Sequence, residues 1–71
     1  MNFSMFLRSL YELQTAETGT ERTYWHYTII KNSEIEYSLS YRDSCFAKCN
    51  DIPSAIFALQ ASYNTIHIEF N

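Results

Sequence analysis

Apolar and polar residues alternate without interruption from residue 35 to residue 42. Side chains on a β-strand point alternately to its two faces, so this stretch has an apolar face made of Ile35, Tyr37, Leu39 and Tyr41. The pattern predicts a strand over residues 34–42, in a sheet with one packed face and one solvated face. Residues 21–31 are rich in β-branched and aromatic types and predict a preceding strand. The two strands are expected to form a hairpin with its turn at residues 31–33.

The sequence leaves the register of this hairpin open. A two-residue loop would place Tyr24 on the same face as Leu39 and leave Trp25 and Tyr27 outside. A loop of odd length would bury Trp25 and Tyr27 instead, because one residue of slip exchanges the faces. Burial of apolar area favours the second register. If the cluster of Tyr24, Trp25 and Tyr27 is exposed, it would form an aromatic platform of the kind that interfaces favour. We therefore predict Tyr24 and Trp25 as binding residues.

Two helices are predicted from residues at helical spacing. The first covers residues 3–15 and has an apolar stripe made of Phe3, Phe6, Leu7, Leu10 and Leu13. The second covers residues 52–63. Asp51 is suited to cap its start, and Pro53 is tolerated in its first turn.

Two further strands complete the prediction, one over residues 45–49 and one over residues 65–70. The element order is therefore α-β-β-β-α-β. Such an order predicts a single α+β domain over residues 1–71, a two-layer sandwich in which two helices pack on one face of an antiparallel sheet of three to four strands. The strand at residues 65–70 would be an edge, open to pairing with a second copy or another protein.

Composition narrows the classes of function. The net charge is −3 and the five basic residues are scattered, so direct nucleic-acid binding is disfavoured. The helix and strand order resembles that of the double-stranded RNA-binding domain, but residues 50–53 lack the basic stretch of that family, and we reject the assignment. No apolar run is long enough for a membrane span, and we expect a cytoplasmic protein of the producing or the host cell.

No cofactor or catalytic group is predicted. With one glycine the chain has no glycine-rich phosphate loop, and no spacing links a nucleophile to a base. Four residues could serve as zinc ligands: Cys45, Cys49, His26 and His67. Structural zinc sites usually have ligand pairs that are closer together in the sequence. We therefore predict two small buried thiols, with a zinc-stabilised domain as the lesser alternative.

Binding residues are predicted on two surfaces besides the aromatic platform. The first is the open sheet face, which is polar and mildly acidic and includes Glu34, Glu36, Ser38, Ser40, His67 and Glu69. The second is Phe57, which lies away from the apolar stripe of the second helix. It would either reach over the edge of the core or be exposed for contact with a partner.

The leading prediction is a non-enzymatic protein-binding module. Its sharpest form is a small inhibitor, encoded by a phage or mobile element, that binds and blocks a host defence or regulatory protein. Small size and a composition rich in Asn, Ile, Tyr and Ser motivate this form. The alternative is a dimeric nucleic-acid-associated regulator. A homodimer is also expected from size, because a small core gains stability from association.

Overall fold

The computed structural model describes the backbone of residues 1–70 and the side chains of residues 1–67. Helix α1 and a following 3₁₀ helix precede four strands and a long helix α2. Their bounds are α1 Phe3–Ser9, the 3₁₀ helix Leu10–Thr15, β1 Glu21–Tyr24, β2 Tyr27–Ser33, β3 Glu36–Tyr41, β4 Ser44–Cys49 and α2 Ile52–Phe70.

The four strands form one antiparallel sheet in the order β1-β2-β3-β4. Both helices pack on the same face of this sheet, which confirms the predicted two-layer α+β class. The core contains residues of the helices and of the inner sheet face: Phe6, Leu7, Leu10, Leu13, Tyr27, Ile29, Tyr37, Leu39, Ile52, Ala55 and Leu59. The outer face carries short polar side chains such as those of Thr28, Ser38 and Ser40.

Helix α1 begins at Phe3, as predicted, and Asn2 caps it, since its side chain accepts a hydrogen bond from the Met5 amide at 2.8 Å. The apolar stripe continues past Ser9 into the 3₁₀ helix, whose Leu10 and Leu13 are fully buried. The predicted span of residues 3–15 is therefore helical throughout, but its second half is wound more tightly than an α-helix.

The predicted strand over residues 21–31 is in fact two strands. A two-residue turn, Trp25 and His26, separates β1 from β2, and Trp25 has a positive φ of 55°. Tyr24 and Tyr27 pair across this turn and both contact the core. The turn places two aromatic residues in the core that an unbroken strand would have pointed to opposite faces.

The β2–β3 turn also differs from its prediction. It lies at Glu34 and Ile35, because Asn32 forms a bulge between the Lys31–Tyr37 and Ser33–Glu36 pairs. Ile35 is consequently 74% exposed and does not join the packed face. Beyond the bulge, the odd-length register is the one observed, since Tyr27 and Ile29 share the core face with Leu39. The predicted burial of Trp25 in this register is wrong, because Trp25 lies in the β1–β2 turn and is 52% exposed.

Residues 65–70 are not a strand but the last turns of α2. The alternation there is compatible with a strand, yet Ile66 also continues the helical stripe of Leu59 and packs on the core. Thr65 Oγ1 donates to the Ala61 carbonyl at 2.8 Å, a bond between residues four apart in a helix. With β4 present the sheet already has four strands, so the element order is α-β-β-β-β-α.

The edges of the sheet are therefore β1 and β4, not residues 65–70. β1 has four residues, and β4 is bulged at Phe46 between the Leu39–Ala47 and Ser40–Cys45 pairs. A short strand, a bulge and a lysine such as Lys48 are devices by which sheet edges avoid pairing with other chains. The edges thus give little support to a dimer formed by strand addition.

Lys31 is the largest feature of the core that the sequence did not predict. It is fully buried, and its ammonium donates hydrogen bonds to the carbonyls of Gln14 at 3.1 Å and Ala16 at 2.8 Å. These carbonyls lie at the end of the 3₁₀ helix, where carbonyls lack helical partners and a cation is favoured. An ion pair with the exposed Glu34, at 3.3 Å, completes its contacts.

Tyr27 joins the sheet to α2 by a polar contact within the apolar layer. Its side chain is fully buried, and its hydroxyl shares a hydrogen bond with Ser62 Oγ at 2.7 Å. Burial raises the pKa of the Tyr27 hydroxyl above its ordinary value, because the phenolate would lose its hydration.

Candidate functional site

The β1–β2 turn and the β3–β4 turn lie side by side at one end of the sheet. Tyr27 follows the first turn, Tyr41 precedes the second, and the two tyrosines pair across β2 and β3. The Arg42 amide donates to the His26 carbonyl at 3.0 Å, which ties the turns together. We call the surface formed by Trp25, His26, Thr28, Arg42 and Asp43 the hairpin-end site.

Three residues of the hairpin-end site have left-handed backbone conformations. These are Trp25 at φ 55°, Arg42 at φ 50° and Asp43 at φ 66°, and they are the three non-glycine residues with positive φ in the described chain. Hairpin turns normally use glycine, asparagine or aspartate at such positions, so Asp43 suits its turn while Trp25 and Arg42 do not. A bulky residue there costs about 1–2 kcal/mol, so the protein displays Trp25 and Arg42 at the expense of stability.

Trp25 is 52% exposed, yet neighbouring rings fix its position. Its ring centroid lies 4.5 Å from that of His26, 5.8 Å from that of Tyr41 and 5.8 Å from that of His67. His67 in turn packs at 3.9 Å on the ring of Tyr63, also in α2. The last turns of α2 therefore support the Trp25 ring from behind and leave part of it open to solvent.

Arg42 lies in the same site and is also exposed. Its guanidinium is 3.3 Å from Nε2 of His26 and 5.7 Å from the ring centre of Tyr41. Together the site residues line a shallow open depression of about 490 Å³. The site thus combines an aromatic surface, a guanidinium and a hydroxyl, with a carboxylate at Asp43.

Acidic side chains are concentrated at the opposite end of the sheet. They lie in the loop before β1, at the start of β1, at the β2–β3 turn and in the loop before α2: Glu17, Glu21, Glu34, Glu36 and Asp51. Bonds from the Ser54 amide and hydroxyl hold the pKa of the Asp51 carboxyl below its ordinary value. The molecule therefore has one acidic end, and one end bearing Arg42 and two histidines.

The predicted acidic sheet face is only partly assembled. Glu36 and Ser38 lie on the outer face, where the Asn32 amide donates to both. Ser40 is on the same face, half-buried. Glu34 lies instead in the β2–β3 turn and pairs with Lys31.

His67 and Glu69 do not belong to the sheet face, because residues 65–70 are helical. His67 packs behind Trp25, just outside the hairpin-end site, and the side chain of Glu69 lies outside the described residues. Tyr24 is half-buried and stacks on Phe6 at 5.3 Å, so it is a core residue rather than part of an exposed platform.

Phe57 is 74% exposed, so it does not reach over the edge of the core. It lies on the side of α2 opposite the buried Ala55 and Leu59, well away from the sheet. Phe57 remains a predicted contact for a partner, on a different surface from the hairpin-end site.

His26, Arg42 and Asp43 were not predicted as binding residues. In the sequence Arg42 ends the alternating run and Asp43 indicates only a turn. Their proximity to Trp25 depends on the turn at Trp25 and His26, which no glycine, proline or asparagine marks. A long-range pairing therefore creates the site, and a local pattern does not show it.

The two thiols are not both buried as predicted. Cys45 is exposed and Cys49 is half-buried, and both are free. Burial raises the pKa of the Cys49 thiol above its ordinary value, and the nearby Asp51 acts in the same direction. Among the described side chains, no group of three or more His, Cys, Asp or Glu residues is placed to hold a metal ion. The zinc alternative has no site in that part of the chain.

Neither helix within residues 1–70 combines the length and the apolar character that crossing a membrane requires. In comparisons with known proteins, no family model matches this chain, and no curated protein or solved structure is significantly similar to it.

Proposed function

We propose that this protein is a non-enzymatic protein-binding module and that the hairpin-end site is its contact surface. The observation that carries the proposal is that all three left-handed non-glycine residues of the described chain line this one depression. Backbone strain tends to persist where function requires a side chain at that position. Here the strained positions display a tryptophan and an arginine.

The chemistry of the site suits protein binding. Tryptophan, tyrosine and arginine are the residue types that contribute most of the binding energy at protein interfaces. Trp25 is partly exposed while Tyr41, His67 and Tyr63 restrict its movement, so little side-chain freedom would be lost on association. An aromatic anchor that is already ordered binds more tightly than a flexible one, because less conformational entropy is lost.

In its narrower form, the proposal is an inhibitor encoded by a phage or mobile element that blocks a host defence or regulatory protein. Its support is the small size and the composition of the chain. Such an inhibitor would act by occupying a surface of its target, without chemistry of its own.

The test is affinity capture from a bacterial lysate with three versions of the immobilised protein. The wild type is compared with Trp25→Ser, which removes the anchor, and with the control Glu17→Gln, an exposed position at the opposite end of the sheet that was not predicted to bind. We expect one protein to be retained by the wild type and the control and lost with Trp25→Ser. If Trp25→Ser retains the same protein as the wild type does, the hairpin-end site is not the contact surface. If no version retains a protein, the binding proposal is wrong.

A second candidate is nucleic-acid binding, favoured by one observation: a partly exposed tryptophan next to an arginine can stack on bases. The net charge of −3 acts against it. An electrophoretic shift of DNA or RNA at low salt that weakens as salt is added would support this candidate, and the absence of a shift would exclude it.

Self-association is a third property to test, since neither sheet edge is an obvious pairing surface. A measured solution mass of one chain would exclude the homodimer. A mass of two chains that falls to one with Phe57→Asp would place the dimer contact on α2.

A further inference from the structure

We propose that the hairpin-end site recognises an acidic side chain of the partner protein, with an apolar neighbour of that side chain resting on Trp25. This inference depends on the proposed protein-binding function and adds the chemistry of the partner. The carboxylate would accept hydrogen bonds from the Arg42 guanidinium.

Arg42 has donors to offer. A guanidinium has five N–H groups and no acceptor, so in the 3.3 Å contact His26 Nε2 is the acceptor. The two ion pairs among the described side chains join Arg22 with Glu12 and Lys31 with Glu34, and neither uses Arg42. Among the side chains of residues 1–67, only His26 hydrogen-bonds to this guanidinium, and a carboxylate can accept two of its other N–H groups in parallel.

The depression is suited to a single carboxylate with an apolar neighbour. The Trp25 ring supplies an apolar wall beside the cation, and Thr28 contributes a hydroxyl on the β2 side. The depression is open to solvent and has a volume of about 490 Å³, so it can hold side chains of a partner but cannot enclose a ligand. Asp43, also in the lining, would repel a ligand with several negative charges, which disfavours a phosphate chain relative to one carboxylate.

The distribution of charge supports an acidic partner at this end. The exposed acids Glu17, Glu21 and Glu34 lie toward the other end of the sheet, so an acidic surface is repelled there. At the end that remains, the exposed cation Arg42 offsets the exposed anion Asp43, so an acidic partner is repelled less there. This asymmetry would orient an acidic partner before contact and lead it to the hairpin-end site.

Trp25 is the sole tryptophan of the chain, so its fluorescence reports on this site alone. The probe is the peptide acetyl-Leu-Glu-Leu-amide, compared with acetyl-Leu-Gln-Leu-amide, which has the same shape without the charge. We expect a saturable fluorescence change with Kd on the order of 1 mM for the Glu peptide, and about three- to tenfold weaker binding of the Gln peptide. Equal affinity for the two peptides, or no saturation, would overturn the proposal.

Variants separate this inference from the proposed function. Arg42→Gln should weaken the Glu peptide to the level of the Gln peptide, and Arg42→Lys should retain part of the difference, because it keeps the charge but loses the two-pronged geometry. Far-ultraviolet circular dichroism checks that both variants fold. If a protein captured through Trp25 binds Arg42→Gln as well as wild type, this inference fails and the proposed function stands. Tighter binding of a short oligothymidine than of the Glu peptide would overturn it in favour of nucleic acid.

Discussion

Replacing the β3–β4 turn with Arg42→Asn and Asp43→Gly should stabilise the protein. Both residues have positive φ, 50° and 66°, and Asn-Gly is the pair that a two-residue turn of this kind prefers. The substitution therefore removes strain without disturbing the strands on either side. It also removes the arginine on which the proposed recognition depends.

The size of the effect follows from three contributions. Relief of the left-handed conformations returns about 1–2 kcal/mol at Arg42 and about 1 kcal/mol at Asp43, because aspartate already tolerates this region. The flexibility of glycine in the unfolded chain takes back about 0.5–1 kcal/mol. Loss of the exposed Arg42 contacts with His26 and Tyr41 takes back about 0.5–1 kcal/mol more. The free energy of unfolding should rise by about 1 kcal/mol in total.

Urea denaturation followed by far-ultraviolet circular dichroism measures this change. For a domain of this size the midpoint should increase by about 0.5–1 M with an unchanged slope. The matched control is Asp43→Ala, which keeps a side chain at positive φ and should lower the midpoint. If Asn-Gly leaves the midpoint unchanged or lowers it, the turn is not strained, and the main support for the proposed binding site is lost.

Three further predictions concern other parts of the fold. Lys31→Met should lower the free energy of unfolding by about 1–3 kcal/mol, because the carbonyls of Gln14 and Ala16 lose a charged donor, whereas Glu34→Gln should cost less than about 1 kcal/mol. Similar losses for the two variants in urea denaturation would contradict this assignment. Tyr27→Phe should lower the free energy of unfolding by about 1 kcal/mol at neutral pH, and this difference from wild type should shrink as pH rises above 10.0 through the raised pKa of Tyr27. Thermal melts in which the difference stays constant with pH would refute the burial argument. Because the pKa of Asp51 is lowered in the folded protein, its ionised carboxyl stabilises the fold above pH 3.8, and this stabilisation is lost as pH falls through the folded pKa. Asp51→Asn should remove this loss of stability at acid pH, and acid unfolding curves identical to those of the wild type would contradict the prediction.

The pattern of apolar and polar residues predicted an element correctly where it is compatible with only one type of secondary structure. The stripe from Phe3 to Leu13 forms the first helical segment, and the alternation from Tyr37 to Tyr41 forms β3. Residues 65–70 fit both periods, since Ile66 is inward in a strand and also in a helix that continues from Leu59. There tertiary packing decided the structure, which the sequence alone cannot show.

The candidate site was harder to predict because its components come from separate turns. Trp25 and His67 were both predicted as binding residues, but on the sheet and not as neighbours. His26 and Arg42 meet through the pairing of Tyr27 with Tyr41. Lys31 was hidden for a related reason, since a lysine next to a predicted turn is normally exposed.

The buried ammonium of Lys31 has a consequence for how the protein opens. The backbone of Lys31 also pairs with the loop before β1. The Gly19 amide donates to the Lys31 carbonyl at 2.7 Å, and the Lys31 amide donates to the Thr20 carbonyl at 3.0 Å. Fraying of the segment before β1 would therefore break both backbone bonds and uncover the ammonium that binds the Gln14 and Ala16 carbonyls. Local opening there costs several hydrogen bonds at once, so the Gly19 amide should exchange its hydrogen more slowly than an exposed loop amide without such a bond.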